Sequence, residues 1–347
     1  MLGGPDLLWG AAVPSLLAMI TLVTVWRITR RAASAWRTAL VVGYVAGHWT
    51  LSARDQGATA LVRAGQLEEA DSSWAYDPRN FDFVAAVSKS IQPVEALDWL
   101  PALALLAILP DALACISKLG PAIGWLSRIA LCAFLPWRIV YGSKYWPLSL
   151  GEGFDFDLGG WSTTEATCWI GGIAAALLLA WQVLRMAASE QESSDASFRT
   201  GLACLVTVGS IFSLIAAGSL VYGQHMALLT AVLASCGVGS KLAKANRGLD
   251  AAAGPAVILF STLLAAGHFF AELSLADASM LLIAFVLAAG WLPALARLST
   301  KKRMVSRGIL CLACLAIPIV PAVKDLVSQI PDTEVEQAPN PYKTFTR

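Results

Sequence analysis

Apolar runs long enough to cross a lipid bilayer follow one another along nearly the whole chain, separated by short polar stretches. Windows of about 16 to 23 residues fall at 7–26, 38–53, 96–117, 123–141, 165–187, 200–220, 225–243, 254–273, 278–298 and 308–323. Inside hydrocarbon a lone segment satisfies its backbone polar groups only as a helix. The pattern therefore predicts an all-α, polytopic transmembrane helix bundle of about ten spans. It fills residues 1–323 and leaves 324–347 as a polar tail, disordered from Pro331 onward where prolines and mixed charge accumulate. The second and last windows are the shortest and are expected to tilt little or to run past these limits.

Two polar connections are long. The first, 53–95, is predicted to hold short helices at 57–70 and 80–90, parted by Asp77-Pro78. Phe81, Phe83, Val84 and Val87 suit a helix that lies on the membrane surface or caps the bundle. This loop is also the natural place for a protein partner. The second, 142–164, carries Glu152, Asp155 and Asp157. Alternating acids can hold a hard cation such as Ca²⁺, but the ordered ligand set of an EF-hand is missing. A solvated acidic loop is the expected reading. A further polar linker, Glu190 to Asp195, lies midway along the chain.

Composition sharpens the picture. The chain of 347 residues is 57% hydrophobic and 14% charged, where a soluble domain carries about 25% charged residues. No stretch remains for a separate soluble catalytic domain. Asp6 precedes the first apolar run, and Arg27, Arg30, Arg31 and Arg37 follow it. That order is the reverse of a signal peptide and predicts a retained first helix with its N-terminus outside.

The other basic residues agree with that orientation. Lys118, Arg185, Arg199, Lys241, Lys244, Arg247, Arg297, Lys301, Lys302, Arg303 and Arg307 all fall on the side predicted to be cytoplasmic. The longer loops of the opposite side hold fewer: Arg54, Arg63, Arg79, Lys89, Lys144, Lys324, Lys343 and Arg347. The positive-inside rule then places both termini outside, and a bacterial cytoplasmic (inner) membrane is the expected location.

Of the 13 tryptophans, Trp26, Trp49, Trp99, Trp137, Trp161, Trp181 and Trp291 sit near predicted span ends, where an amphipathic ring prefers the interface. Gly43 and Gly47 permit close helix contact. The 7 cysteines all lie in or beside apolar runs. Cys311 and Cys314 have a redox or metal spacing, but only apolar neighbours, so small packing residues are the expected reading.

Ionisable residues inside spans cost roughly 2.5–3.5 kcal/mol each to insert, so each needs a reason. Asp111 and Arg128 lie at nearly equal distances on either side of Gly120-Pro121. An antiparallel hairpin brings them to the same depth, about 12 Å from the turn, and they are expected to form an intramembrane charge pair. Pro110 beside Asp111 frees backbone carbonyls locally. Asp98 and Arg138 are placed for a second pair, with interfacial snorkelling of Arg138 the favoured alternative.

His48, His225 and His268 all map to the outer third of their helices, and Glu272 follows His268 by one turn. Together with Arg138 they form a candidate outer-face polar cluster. Converging imidazoles can carry protons or bind haem or a transition metal. Ordinary interfacial histidines and a local His268–Glu272 contact are the plainer reading, and no cofactor or metal is specified.

No phosphate-binding, zinc-protease, nucleophile-elbow or dinucleotide motif occurs, and no basic, aromatic-laced face suits nucleic acid. Three functions compete on these residues. The leading one is a small-solute transporter or permease, with Asp111 and Arg128 near a midplane cavity and the histidines as gate or proton-coupling element. The others are a non-catalytic scaffold or complex subunit, and a membrane-embedded enzyme working at the outer face. The substrate is not specified, and the lipid bilayer is the one partner the composition requires.

Overall fold

The computed structural model describes residues 8–63, 77–93, 95–114, 119–141, 143, 145–146, 161–187, 193–244, 248–290 and 292–328. The loop acids Glu152, Asp155 and Asp157, the first half of the linker from Glu190 to Asp195, and the tail from 331 lie outside these residues. The described chain is helical, and no strand occurs among the described residues.

A π-helical turn, Leu8–Ala12, leads into α1, Val13–Thr29. Then follow α2, Ala32–Arg63, and the short α3, Phe83–Ile91. Two pieces, α4, Leu100–Leu106, and α5, Leu109–Leu113, precede α6, Gly120–Val140. The second half holds α7, Thr163–Ala187; α8, Ser193–Ala216; α9, Leu220–Leu242; and α10, Ala253–Phe270. It ends with α11, Leu275–Ala289; α12, Pro293–Ala296; and α13, Thr300–Ser328.

Seven helices are long and apolar enough to cross a membrane: Leu8–Thr29, Gly120–Val140, Thr163–Ala187, Ala196–Ala216, Leu220–Leu242, Leu249–Phe270 and Thr300–Val327. Leu16, Ile20, Leu126, Leu179, Leu205, Ile309 and Val320 stand exposed on their flanks. So many large apolar side chains on open faces suit lipid, not water. The chain is an integral membrane protein by this measure.

Helix α10 is the hub. Its residues are apolar on every side and nearly all buried, as a helix surrounded by others requires. It packs against α4, α6, α7, α9 and α11. On one flank α1, α2 and α9 form a tight group, and on another α8, α11 and α13 do. Phe260 of α10 stacks on Phe285 of α11 with ring centroids 4.3 Å apart.

Four elements differ from the windows read in the sequence, each for a visible reason. The window 38–53 belongs to one helix of 32 residues, α2, which continues through Arg63. No proline interrupts it. Gly57 is tolerated because its missing side chain admits the Asn80 backbone. The window 96–117 is broken at Ala107 and Ile108, because Pro110 has no N–H to donate and its ring crowds the carbonyl one turn back. The window 278–298 stops at Ala289, with Gly290 and Pro293 ending α11 and starting a separate turn. Helix α13 runs on to Ser328, through Lys324 and Asp325, which the sequence assigns to the tail.

The short helix α3 is tied to α2. Asp82 caps its start by accepting from the Ala85 N–H at 2.9 Å, and Trp49 donates to Ser90 at 3.0 Å. Phe81 packs with Ala53 and Ala86 against Trp9. Val84 and Ile91 remain exposed on the other side, so α3 packs one face on α2 and leaves an apolar face open.

Gly43 and Gly47 are where α1 and α9 close on α2. A β-carbon at Gly43 would stand 2.7 Å from Cβ of Ala18, and one at Gly47 would stand 2.8 Å from Cγ of Pro14. Gly43→Val is therefore expected to lower stability by about 2 kcal/mol through overpacking, read as a lower melting temperature in detergent. Gly172→Val, whose β-carbon meets nothing within 4 Å, serves as the control and is expected to show no loss.

Candidate functional site

The α2 sequence places Arg37, Tyr44, His48 and Asp55 at helical spacing, within a narrow sector of one face. This polar stripe is the reason α2, although long, is not among the seven helices that are both long and apolar enough to cross a membrane. Its ends meet the two sets of ionisable residues singled out in the sequence.

At one end, Arg128 of α6 donates through Nη2 to Asp111 Oδ1 at 2.8 Å. Arg37 reaches the other carboxylate oxygen, Oδ2, at 3.4 Å. Arg37 also donates through Nε to the Ala251 carbonyl at 3.0 Å, in the 3₁₀ turn Leu249–Ala252 that precedes α10. One carboxylate thus serves two guanidiniums from two helices, beside the break between α4 and α5. Arg128 is 2% exposed, and its Nε and Nη1 have no hydrogen-bond partner. Its guanidinium lies 5.8 Å from the ring of Trp181 and 5.9 Å from that of Trp125, the outer limit of cation–π attraction.

Toward the other end, Tyr44 is wholly buried and its hydroxyl has no partner. One turn further, His48 packs on His225 of α9 with ring centroids 5.0 Å apart, tilted by 36°. They are 3% and 6% exposed, and Nδ1 of each is unpartnered. Asp98, in the 3₁₀ turn Leu97–Trp99 just before α4, lies within electrostatic reach of His225. The stripe from Arg37 to His48 covers about 16 Å along the helix axis, roughly half of a bilayer's hydrocarbon thickness.

The remaining candidates lie apart from this stripe. His268 packs against Trp169 and Phe269, and its Nδ1 bonds the Leu273 carbonyl at 2.9 Å. Helix α10 ends at Phe270, so Glu272 is not on the turn above His268. Its backbone N–H binds the Ala217 carbonyl at 3.0 Å. Its side chain borders a hollow of about 100 Å³ with Asp277 and Asp325. Arg138 lies over Trp99 at 4.7 Å and Tyr141 at 5.7 Å, and donates to the Pro93 carbonyl at 3.4 Å. It lies among aromatic rings and is not paired with Asp98. Among the described residues, no three His, Cys, Asp or Glu side chains are grouped to hold a metal ion.

Several residues had no sequence signal of their own. Arg37 and Arg307 read as loop charges that set orientation. Tyr44 and Ser261 read as ordinary members of apolar helices. Only the helical spacing of Arg37, Tyr44 and His48 could have joined them beforehand. Against protein-family models, curated proteins and solved structures, the chain shows no match.

Proposed function

We propose that the chain is a ten-span protein of a bacterial inner membrane, with both termini outside, and that it carries a small solute along the polar face of α2. Three further crossings join the seven apolar helices: α2, the broken α4–α5 segment, and the short α11. The basic residues then collect on the cytoplasmic side.

The observation that carries the transport reading is the row of buried polar atoms left without partners. Tyr44 Oη, His48 Nδ1, His225 Nδ1 and two nitrogens of Arg128 are all of this kind. Each unmet group costs on the order of 1–3 kcal/mol in a dry interior, so the row is favourable only where water or a polar solute supplies the bonds. A helix broken beside the charged end is the form that lines solute paths in many transporters. His48 and His225 offer a stepping point for protons, because an imidazole can accept a proton on one ring nitrogen and release one from the other. A purely structural scaffold has no need of such a row. An outer-face enzyme would need His268 and Glu272 beside the His48–His225 pair, and they pack elsewhere.

Thiol accessibility tests the path. Tyr44→Cys and, as lipid-facing control, Leu205→Cys are made in a chain whose native cysteines are replaced by alanine. Both are exposed to a charged methanethiosulfonate in proteoliposomes. Thiolates form and react only where water reaches them, so the thiol at position 44 is expected to react at least about tenfold faster than the control. Equal inertness of the two would contradict an aqueous path along α2.

A further inference from the structure

Away from the α2 stripe, α7, α10 and α11 enclose a cavity of about 400 Å³, open along one side. Small residues shape it: Gly172 and Ala176 on α7, Ala265 on α10 and Ala278 on α11. Leu264, Phe269 and Leu282 supply apolar walls. Cys168, Gly172, Ala176 and Ser279 are exposed at its rim. The opening is flanked by a lipid-type surface, so its guests arrive from the membrane.

Two polar groups in the lining set the chemistry. Ser261 is 6% exposed, and its hydroxyl has no hydrogen-bond partner. Its neighbour Thr262 instead returns its hydroxyl to the Ile258 carbonyl at 2.6 Å, the usual resolution for such a group in a helix. His268 stands two turns further along the same face of α10, about 10 Å away along the axis. A carbonyl can only accept, so the Leu273 contact fixes the proton of the neutral ring on Nδ1. Nε2 is left as an acceptor. The aromatic group of Trp169, Trp161 and Phe269 packs beside it, with Trp161 and Trp169 stacked at 5.5 Å.

We propose that this cavity binds a single-chain membrane amphiphile bearing a hydroxyl, its O–H donated to His268 or Ser261 and its chain lying along the apolar wall. A hydrocarbon alone would leave the Ser261 hydroxyl unmet. A charged head group would find no opposite charge in the lining. An uncharged alcohol satisfies both limits.

The test uses hexadecanol carrying a mid-chain diazirine as photoprobe, with the full chain in detergent and labelled peptides mapped by mass spectrometry. Labelling is expected to concentrate on 168–177 and 261–282. Hexadecanol is expected to compete about tenfold better than hexadecane, the worth of one hydrogen bond to a desolvated group. Gly172→Leu fills the cavity without meeting protein atoms at its β-carbon. It is expected to cut labelling at least fivefold at an unchanged melting temperature, a loss on the order of 1 kcal/mol of binding. Ser261→Ala and His268→Ala together are expected to abolish the preference for alcohol over alkane while leaving labelling by chain length intact. Labelling spread evenly over all lipid-facing helices, or equal competition by hexadecane and hexadecanol, would overturn the proposal.

Discussion

Asp111→Asn is expected to lower the unfolding free energy by about 3 kcal/mol, because removing one member of a buried pair leaves a charge without compensation. The effect falls at the lower end of that class since the Asp111 side chain keeps 15% of its exposure. Two guanidiniums depend on this carboxylate, Arg128 at 2.8 Å and Arg37 at 3.4 Å. An asparagine retains one acceptor but not the charge, so both are left repelling each other in a poorly solvated place. Arg128→Gln alone is expected to cost less, because Arg37 still balances Asp111. The double variant should be more stable than the sum of the two losses implies, by about 1–2 kcal/mol of coupling. Denaturant titration of the four proteins in one detergent measures this cycle. Strict additivity would mean that the contact is not a coupled unit.

The second large effect is expected at Arg307. Its side chain is 1% exposed, and Nη1 donates to the carbonyls of Leu287, Ala288 and Gly290 at 3.2, 3.3 and 2.7 Å. Leu287 and Ala288 are among the last carbonyls of α11 and Gly290 caps its end, so no further helical turn can satisfy them. A cation at a helix C-terminus also opposes the negative end of the helix dipole. Helix α11 has only 15 residues, about 22 Å at 1.5 Å per residue, less than the roughly 30 Å of a bilayer's hydrocarbon core. Arg307→Ala is expected to cost about 3 kcal/mol, from the loss of charge-assisted hydrogen bonds. Arg307→Lys should recover part of it, as the ammonium keeps the charge and the donors on a side chain that reaches less far. Hydrogen exchange should locate the loosening at 284–290. An unchanged exchange pattern there would mean that Arg307 is not the cap. Arg199 plays a related part at the end of α7, donating to the Ala187 carbonyl at 3.3 Å.

These arginines show where sequence reading stops. A basic residue between two spans signals orientation, and nothing local distinguishes one that faces water from one that folds back onto a helix end. The Asp111–Arg128 contact was legible because a hairpin fixes depth by counting residues from its turn. The Arg37 contact to the same carboxylate was not, since it depends on how α2 packs across the bundle. The helical class followed from apolar length alone, whereas the break at Ala107 required the effect of Pro110 on an otherwise apolar run. His48 and His225 meet because α2 and α9 cross with small residues between them. His268 stays apart because it looks toward α7. An unmet hydroxyl such as that of Ser261 has no sequence signature at all, because most helical serines bond back to their own chain.

The proposed path requires α2 to cross the membrane, since its stripe lines that path and its polarity makes it the least obvious span. Arg31→Cys and Thr59→Cys place a thiol at each end of the helix, on exposed positions. Each is labelled with a membrane-impermeant maleimide, first on intact right-side-out cells and then after permeabilisation, in a background without native cysteines. If α2 crosses as proposed, the thiol at 59 is labelled on intact cells and the thiol at 31 only after permeabilisation. Labelling of both from the same side would show that α2 does not cross, and would remove the path, the ten-span topology and the orientation together.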